Sequence, residues 1–266
     1  MDPWYRIIRE GEISTPALLI YADRVEENIR RMVIMAGGPH HLRPHVKTHK
    51  MAEVVKLKLR HGITRFKCAT LAEAEMVARC GGADIMLAMQ PVGPHIGRFF
   101  QMQQAYPHSR FSALVDADRI IEQIAAQASR FQQETGLWLD LNNGMNRTGM
   151  VPGKEALQMY LRISTKPFLK VRGLHVYDGH IHESDPVLRG KICEKDFEPV
   201  HSLIAAIRES GLPEPVVVAG GTPTFPIHAG RPHTETSPGT CVLWDSGYQE
   251  SFPELQFLPA AVLMTR

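Results

Sequence analysis

Short apolar runs alternate along this chain with longer stretches whose apolar positions recur every three or four residues. The short runs fall at residues 42–47, 65–68, 85–88, 111–115, 137–141, 171–176, 216–219 and 239–244 and read as strands. The helical period marks 23–35 before them and 52–61, 71–80, 94–105, 118–132, 154–163 and 196–210 between them. Thr70-Leu71-Ala72-Glu73 has the form of a capping box, in which hydroxyl and carboxylate each satisfy an orphan backbone donor. Gly62, Gly81 and Gly211 follow helices as stop signals. Seven or eight βα units in succession imply a parallel sheet, and that number favours a closed (β/α)8 barrel of the TIM type over an open sheet.

Two apolar runs, 17–21 and 257–264, have no βα partner. They fit either a small edge ribbon or, paired with each other, the start of a second, β-rich domain of which this chain lacks most. The second reading is the expectation: a barrel over 22–250, flanked by 1–21 and 251–266 as a remnant of the other domain.

Composition narrows the class. An apolar share of 44% and a charged share of 22% are those of a soluble globular protein. A net charge of +2 gives no electrostatic case for nucleic acid or an anionic membrane. Residues 1–11 include Asp2, Arg6, Arg9 and Glu10 and lack the apolar core of a signal peptide. No apolar run approaches the ~18–20 residues of a membrane span. The four cysteines, Cys68, Cys80, Cys193 and Cys241, form no Cys-x-x-Cys pair, which argues against a zinc knuckle and for free thiols in the cytoplasm.

The candidate chemistry gathers at strand ends. In Arg43-Pro44-His45-Val46-Lys47-Thr48-His49-Lys50, alternation puts His45 and Lys47 on one face, and basic neighbours crowd the lysine. A lysine near other cations loses its proton more easily and becomes a nucleophilic amine, as a Schiff base requires. The same octapeptide also fits a basic surface turn. Gly220-Gly221-Thr222-Pro223-Thr224 and Ser237-Pro238-Gly239-Thr240 are small-residue turns in the region where barrels hold phosphate. Asp140–Gly149 turns twice after a strand and can send Arg147 inward, or use it to tie loops together. His175 and Tyr177 share one face of the strand that leads into Asp178-Gly179-His180. His180, His182, Glu183 and Asp185 match no zinc spacing and read as a solvated loop.

Together these segments resemble the D-threonine aldolase / D-serine dehydratase family of fold-type III pyridoxal-phosphate enzymes, whose barrel is alanine-racemase-like. The resemblance implies that Lys47 carries pyridoxal 5′-phosphate as a Schiff base. It implies that Arg147 and Tyr177 contact the cofactor ring, and that Gly221, Thr222, Gly239 and Thr240 hold its phosphate. It makes Lys47, His45 and His175 the candidate proton carriers, with Asp178 behind them. It also implies a divalent metal (Mn, Mg or Zn) held by residues outside this chain, a small D-amino acid as substrate, and a homodimer. The implied reaction is cleavage of a D-3-hydroxy amino acid to glycine and an aldehyde. D-serine-type elimination and a non-catalytic cofactor carrier are the alternatives. A sugar-phosphate barrel would leave Lys47 without a role.

Overall fold

The computed structural model describes residues 4–265; Asp2 and the outermost residues of both flanking segments lie outside that range. In chain order the elements begin with β1 (Ala17–Ile20), α1 (Ala22–Met35), α2 (Ala52–Arg60), β2 (Arg65–Cys68), α3 (Leu71–Arg79) and β3 (Asp84–Leu87). They continue with α4 (Pro94–Ala105), β4 (Arg110–Val115), α5 (Asp118–Phe131), β5 (Thr135–Leu141), α6 (Lys154–Ser164) and β6 (Leu169–Val176). The last are α7 (Pro186–Glu209), β7 (Val216–Ala219), α8 (Phe225–Ala229), β8 (Thr234–Thr236), α9 (Ser246–Ser251) and β9 (Ala261–Met264). Strands β2 to β8 form one parallel sheet in sequential order.

Residues 42–47 join the two edges of that sheet, although they form no continuous strand. Arg43 and His45 donate their N–H groups to Thr236 and Pro238 on one side. On the other side Val46 donates to Lys67, and Lys67 donates to Pro44. Pro44 has no N–H, so the ladder towards β2 lacks a donor and only isolated bridges remain. The architecture is a TIM-type α/β barrel with this segment in the first-strand position.

Alternation sorts the barrel's side chains into two sets. Val46, Phe66, Cys68, Ile85, Leu87, Leu137, Leu139, Leu174 and Val176 are buried in the main core with the helices. The opposite face points into the barrel. At its lower end Arg43 is fully buried between Asp84 (2.7 Å) and Glu235 (2.6 Å), and Arg65, Arg110 and Arg172 hold the outer carboxylate oxygens. Above these charges Met86, Leu114, Trp138 and Val218 form a separate apolar cluster. The Trp138 indole donates to Ser112 Oγ at 2.9 Å. At the upper end the inner residues are polar: His45, Lys67, Asp140 and His175. Gly173 makes this possible where β6 bulges against β5, because its φ of +146° and the nearby Val216 carbonyl oxygen exclude a Cβ.

Two expectations need correction. Residues 239–244 are not a strand: 240–242 form a single 3-10 turn. Its apolar side chains, with Trp244, are buried in the helix-facing core, and Asn28 reaches the Val242 carbonyl. The eighth strand is instead polar β8, whose Glu235 joins the charged layer and whose Thr236 hydroxyl donates to the His41 carbonyl. Second, α7 begins ten residues earlier than the expected 196, at Pro186, where the Asp185 carboxylate accepts from Val187 and Leu188. Pro199 lies inside this helix. Phe252, Leu255, Phe257 and Ala260 also belong to the main core.

The runs near the two chain ends do pair: β1 and β9 form a separate antiparallel ribbon. The capping box at Thr70 holds with one change. Its hydroxyl accepts from Glu73 N–H, while the Glu73 carboxylate accepts from Ala69 rather than from Thr70. Gly62, Gly81 and Gly211 all end helices with positive φ.

Candidate active site

The upper mouth of the barrel opens into two adjoining cavities. The larger, about 600 Å³, is lined by His45, Lys47, Lys67, Asp140, Arg147, His175 and Tyr177, with Met89, Val92 and Leu114 among its apolar walls. The smaller, about 60 Å³, shares His45, Lys47, Lys67 and Tyr177 and adds Gly221, Thr222, Gly239, Thr240 and Tyr248. The candidate catalytic and cofactor-binding residues from the sequence therefore line one mouth, and Asp178 lies behind it. His182 lies on the rim of the smaller cavity, whereas His180 pairs with Asp196 (2.9 Å) and Asp185 caps α7.

Lys47 follows the barrel-closing segment, just before the Thr48-His49-Lys50 turn. It is exposed at the mouth. Burial of its stem and then the Arg147 guanidinium lower its proton affinity. The turn is braced beneath: His49 Nδ1 accepts from Met51 N–H at 3.1 Å, and Lys58 Nζ lies 3.1 Å from His49 Nε2. Burial brings the Lys58 pKa down to about 7 and that of His49 to about 2, so the brace is a neutral imidazole beside an easily neutralised amine.

Two neutral imidazoles flank the mouth in opposite tautomers. His45 Nδ1 accepts the Lys47 backbone N–H at 3.2 Å, which leaves the ring proton on Nε2. Burial, reinforced by Lys67 and Lys47, holds this ring neutral. His175 is the converse. Its Nδ1–H donates to Asp140 at 2.6 Å, and its Nε2 is buried without a partner. Burial and then Lys67 lower its pKa against the pull of Asp140. One ring thus offers a proton and the other a lone pair. Register explains the dyad, since Asp140 on β5 pairs directly with His175 on β6.

Tyr177 is ringed by cations. Lys47 Nζ, Lys67 Nζ and the Arg147 guanidinium lie 5.8, 5.3 and 5.1 Å from its ring centroid. Burial raises the pKa of its phenol despite Arg147.

The small-residue turns are tied together by Thr222. Its hydroxyl oxygen accepts from Gly239 N–H (3.2 Å) and Thr240 N–H (3.0 Å), so these groups are not free as the sequence had suggested. The O–H proton remains available to donate. Gly221 N–H is also committed, to Asp178 and Thr224. Asp178 additionally accepts from Thr224 Oγ1 (2.7 Å) and His228 Nε2 (2.8 Å), with Cys193 Sγ 3.4 Å from that nitrogen. Asp178, Cys193 and His228 are close enough to one another to be metal ligands. Their atoms are already engaged as a brace behind the first turn, outside both cavities. Sequence reasoning missed Lys67, Lys58, Tyr248 and this brace.

A parallel barrel with a lysine at its C-terminal mouth is the arrangement of the fold-type III pyridoxal-phosphate enzymes, and the chain belongs to the alanine racemase N-terminal domain family, whose model matches residues 20–246. Among individual proteins, it is 26% identical over 245 residues to the 3-hydroxy-D-aspartate aldolase of Paracoccus denitrificans (strain Pd 1222), covering 90% of this chain and 62% of that protein. It is 29% identical over 244 residues to the D-threo-3-hydroxyaspartate dehydratase of Delftia sp. (strain HT23), covering 88% and 62%. The crystal structure of D-threonine aldolase from Filomicrobium marinum superposes with a TM-score of 0.88 at 25% identity, over 97% of this chain and 72% of that one. The chain thus spans about 62% of the length of these two curated relatives. No helix among the described residues is long and apolar enough to cross a membrane.

Proposed function

We propose that this chain binds pyridoxal 5′-phosphate through Lys47 and cleaves the Cα–Cβ bond of D-3-hydroxy amino acids, releasing glycine and an aldehyde. One observation carries the reading: an amine of lowered proton affinity shares its cavity with two small-residue turns. The small residues of the turns fit the cofactor. A Cβ on Gly239 would stand 3.2 Å from Thr48 Oγ1, and one on Gly221 3.3 Å from the Tyr177 ring, so both positions leave room only while they are glycine. The free Thr222 O–H would donate to the phosphate, and Gly221, Gly239 and Thr240 would hold it by exchanging the bonds they now make to Asp178, Thr224 and Thr222, with Arg147 and Tyr177 beside the ring.

When bound, the cofactor supplies a conjugated sink for the electron pair left at Cα. The chain supplies proton traffic and orientation. Lys47 offers an amine of lowered proton affinity for attachment and, once displaced, a base. His175 presents Nε2 to take the β-hydroxyl proton, with Asp140 fixing its tautomer and stabilising the cation that forms. His45 offers its Nε2 proton towards the same space. The implied divalent metal has its ligands outside this chain, and the ribbon of β1 and β9 is read as part of a second, β-rich unit. A cytoplasmic homodimer completes the reading.

Incubating the pyridoxal-phosphate-loaded chain with D-threonine decides the reaction. Glycine and acetaldehyde support the proposal. The Delftia relative favours elimination as the second reading, which gives 2-oxobutanoate and ammonia instead. A cofactor band without either product set leaves a carrier. Thr222→Val tests the turns: it removes the hydroxyl proton that is free to donate to the phosphate and the oxygen that ties the two turns together, so cofactor affinity falls about tenfold, for one charge-assisted hydrogen bond. A fluorescence titration showing unchanged affinity would take Thr222 out of the phosphate site.

A further inference from the structure

Lys67 is unlike the other cations of the barrel. It is only 4% exposed, on β2 between Phe66 and Cys68, which pack outward into the helix-facing core. Its ammonium therefore points inward and lines both cavities. Arg43, the other buried inward cation, is held by two carboxylates. Lys67 has no hydrogen-bond or ion-pair acceptor among the described residues; its Nζ lies over the Tyr177 ring. The nearest carboxylates are spent elsewhere, Asp140 on His175 and Asp178 on Gly221, Thr224 and His228. Buried cations are normally paired, so this one is built for an acceptor that the protein itself does not provide.

We propose that Lys67 is the carboxylate anchor for the amino-acid substrate. The inference rests on the D-3-hydroxy amino acid reading of the site. Lys67 and Lys47 lie over the same Tyr177 ring, 5.3 and 5.8 Å from its centroid. An amino acid whose nitrogen takes the place of the Lys47 amine has its carboxylate on the neighbouring carbon, in cavities that Lys67 also lines. The carboxylate is either the α group common to all such substrates or the distal group of a 3-hydroxyaspartate.

The charge environment fits a group that becomes a cation on binding. Burial, then Lys47, bring the Lys67 pKa down to about 7, with Asp140 and Asp178 pulling the other way and Arg147 adding to the fall. His45 and His175, the other titratable groups facing it, are held neutral, and Tyr177 keeps its proton. Above pH 7 much of the free amine is therefore neutral, and a bound carboxylate recruits a proton to it.

The test uses the cofactor-loaded chain, with Lys67→Met and Lys67→Arg beside the wild type. KM is measured for D-threonine and D-3-hydroxyaspartate, and the binding of D-lactate and D-malate is followed by calorimetry at pH 8 in buffers of different ionisation enthalpy. Lys67→Met is expected to raise KM about tenfold or more, the worth of one charge-assisted hydrogen bond. It should also abolish proton uptake on D-malate binding while leaving the cofactor band unchanged; Lys67→Arg should retain most affinity. An equal rise for both substrates assigns the α-carboxylate, and a rise for D-3-hydroxyaspartate alone assigns the distal one. Proton uptake lost in Lys67→Met supports the anchor even where neither amino acid is cleaved, which separates its fate from that of the proposed reaction. Unchanged KM and unchanged proton uptake would overturn it, as would a lost cofactor band with intact carboxylate binding.

Discussion

Replacing Lys47 with alanine removes the visible absorbance that the chain develops with pyridoxal phosphate, and borohydride followed by peptide mapping then finds no pyridoxyl group at position 47. The expectation has a real competitor. Lys67 lines the same two cavities, and burial has already brought its pKa to about 7. Position decides between them. Lys47 is exposed at the mouth, next to the turns that would take the phosphate, while Lys67 is set deeper on β2. Activity should fall by at least the ~10²–10⁴-fold that proton transfer alone contributes, because the freed amine is also a candidate base. A Lys47→Ala chain with its band intact and the adduct on Lys67 would sink the assignment.

Arg43→Met is expected to cost about 3 kcal/mol of stability, the low end of the range for breaking a buried ion pair. The change leaves Asp84 and Glu235, 4% and 8% exposed, without their shared cation. Arg65, Arg110 and Arg172 still hold the outer oxygens, which keeps the loss from being larger. The methionine also gives up the guanidinium's position 5.3 Å from the centroid of the Trp138 ring. At about 2–4 °C per kcal/mol for a chain of this size, Tm should drop roughly 6–12 °C. A pH series checks the cause. Burial raises the Asp84 pKa, but Arg43, with Arg172 and Arg110 behind it, makes the net shift downward. A carboxyl with a depressed folded pKa contributes stability that is present above the ordinary carboxylate range and lost as pH falls through the folded value. The gap between wild type and Arg43→Met should therefore be full at neutral pH and close in acid. A melting curve unchanged at pH 7 would mean that the charged layer is not what holds the lower barrel together.

What could be read from the sequence depended on whether polarity matched the face. Strands with apolar outer residues, such as β3 and β5, stood out because burial against helices leaves a hydrophobic run. Strand β8 did not, since Thr-Glu-Thr spends its side chains on the charged layer and on a backbone carbonyl. The apolar run at 239–244 looked like that strand because a buried 3-10 turn and a buried strand demand the same residues. Lys67 was legible in principle: Arg65 and Lys67 alternate with Phe66 and Cys68, which assigns both cations to the barrel interior. The Asp140–His175 dyad was not, because it depends on the register between β5 and β6. The commitment of the turn N–H groups to Thr222 and Asp178 was likewise invisible, since it needs the loops in place.

The gap that Pro44 leaves in the ladder makes residues 42–47 the seam of the barrel, sewn by only two backbone hydrogen bonds to each neighbour. Lys47 stands at the end of that seam, and the turns after β7 and β8 stand on its far side. A molecule joined to Lys47 and gripped by those turns is a clasp between this segment and the β8 edge, on the side away from the Pro44 gap, where Arg43 and His45 already donate to Thr236 and Pro238. Its binding energy then also stabilises the closed barrel against opening, so cofactor loading and barrel integrity become a single equilibrium.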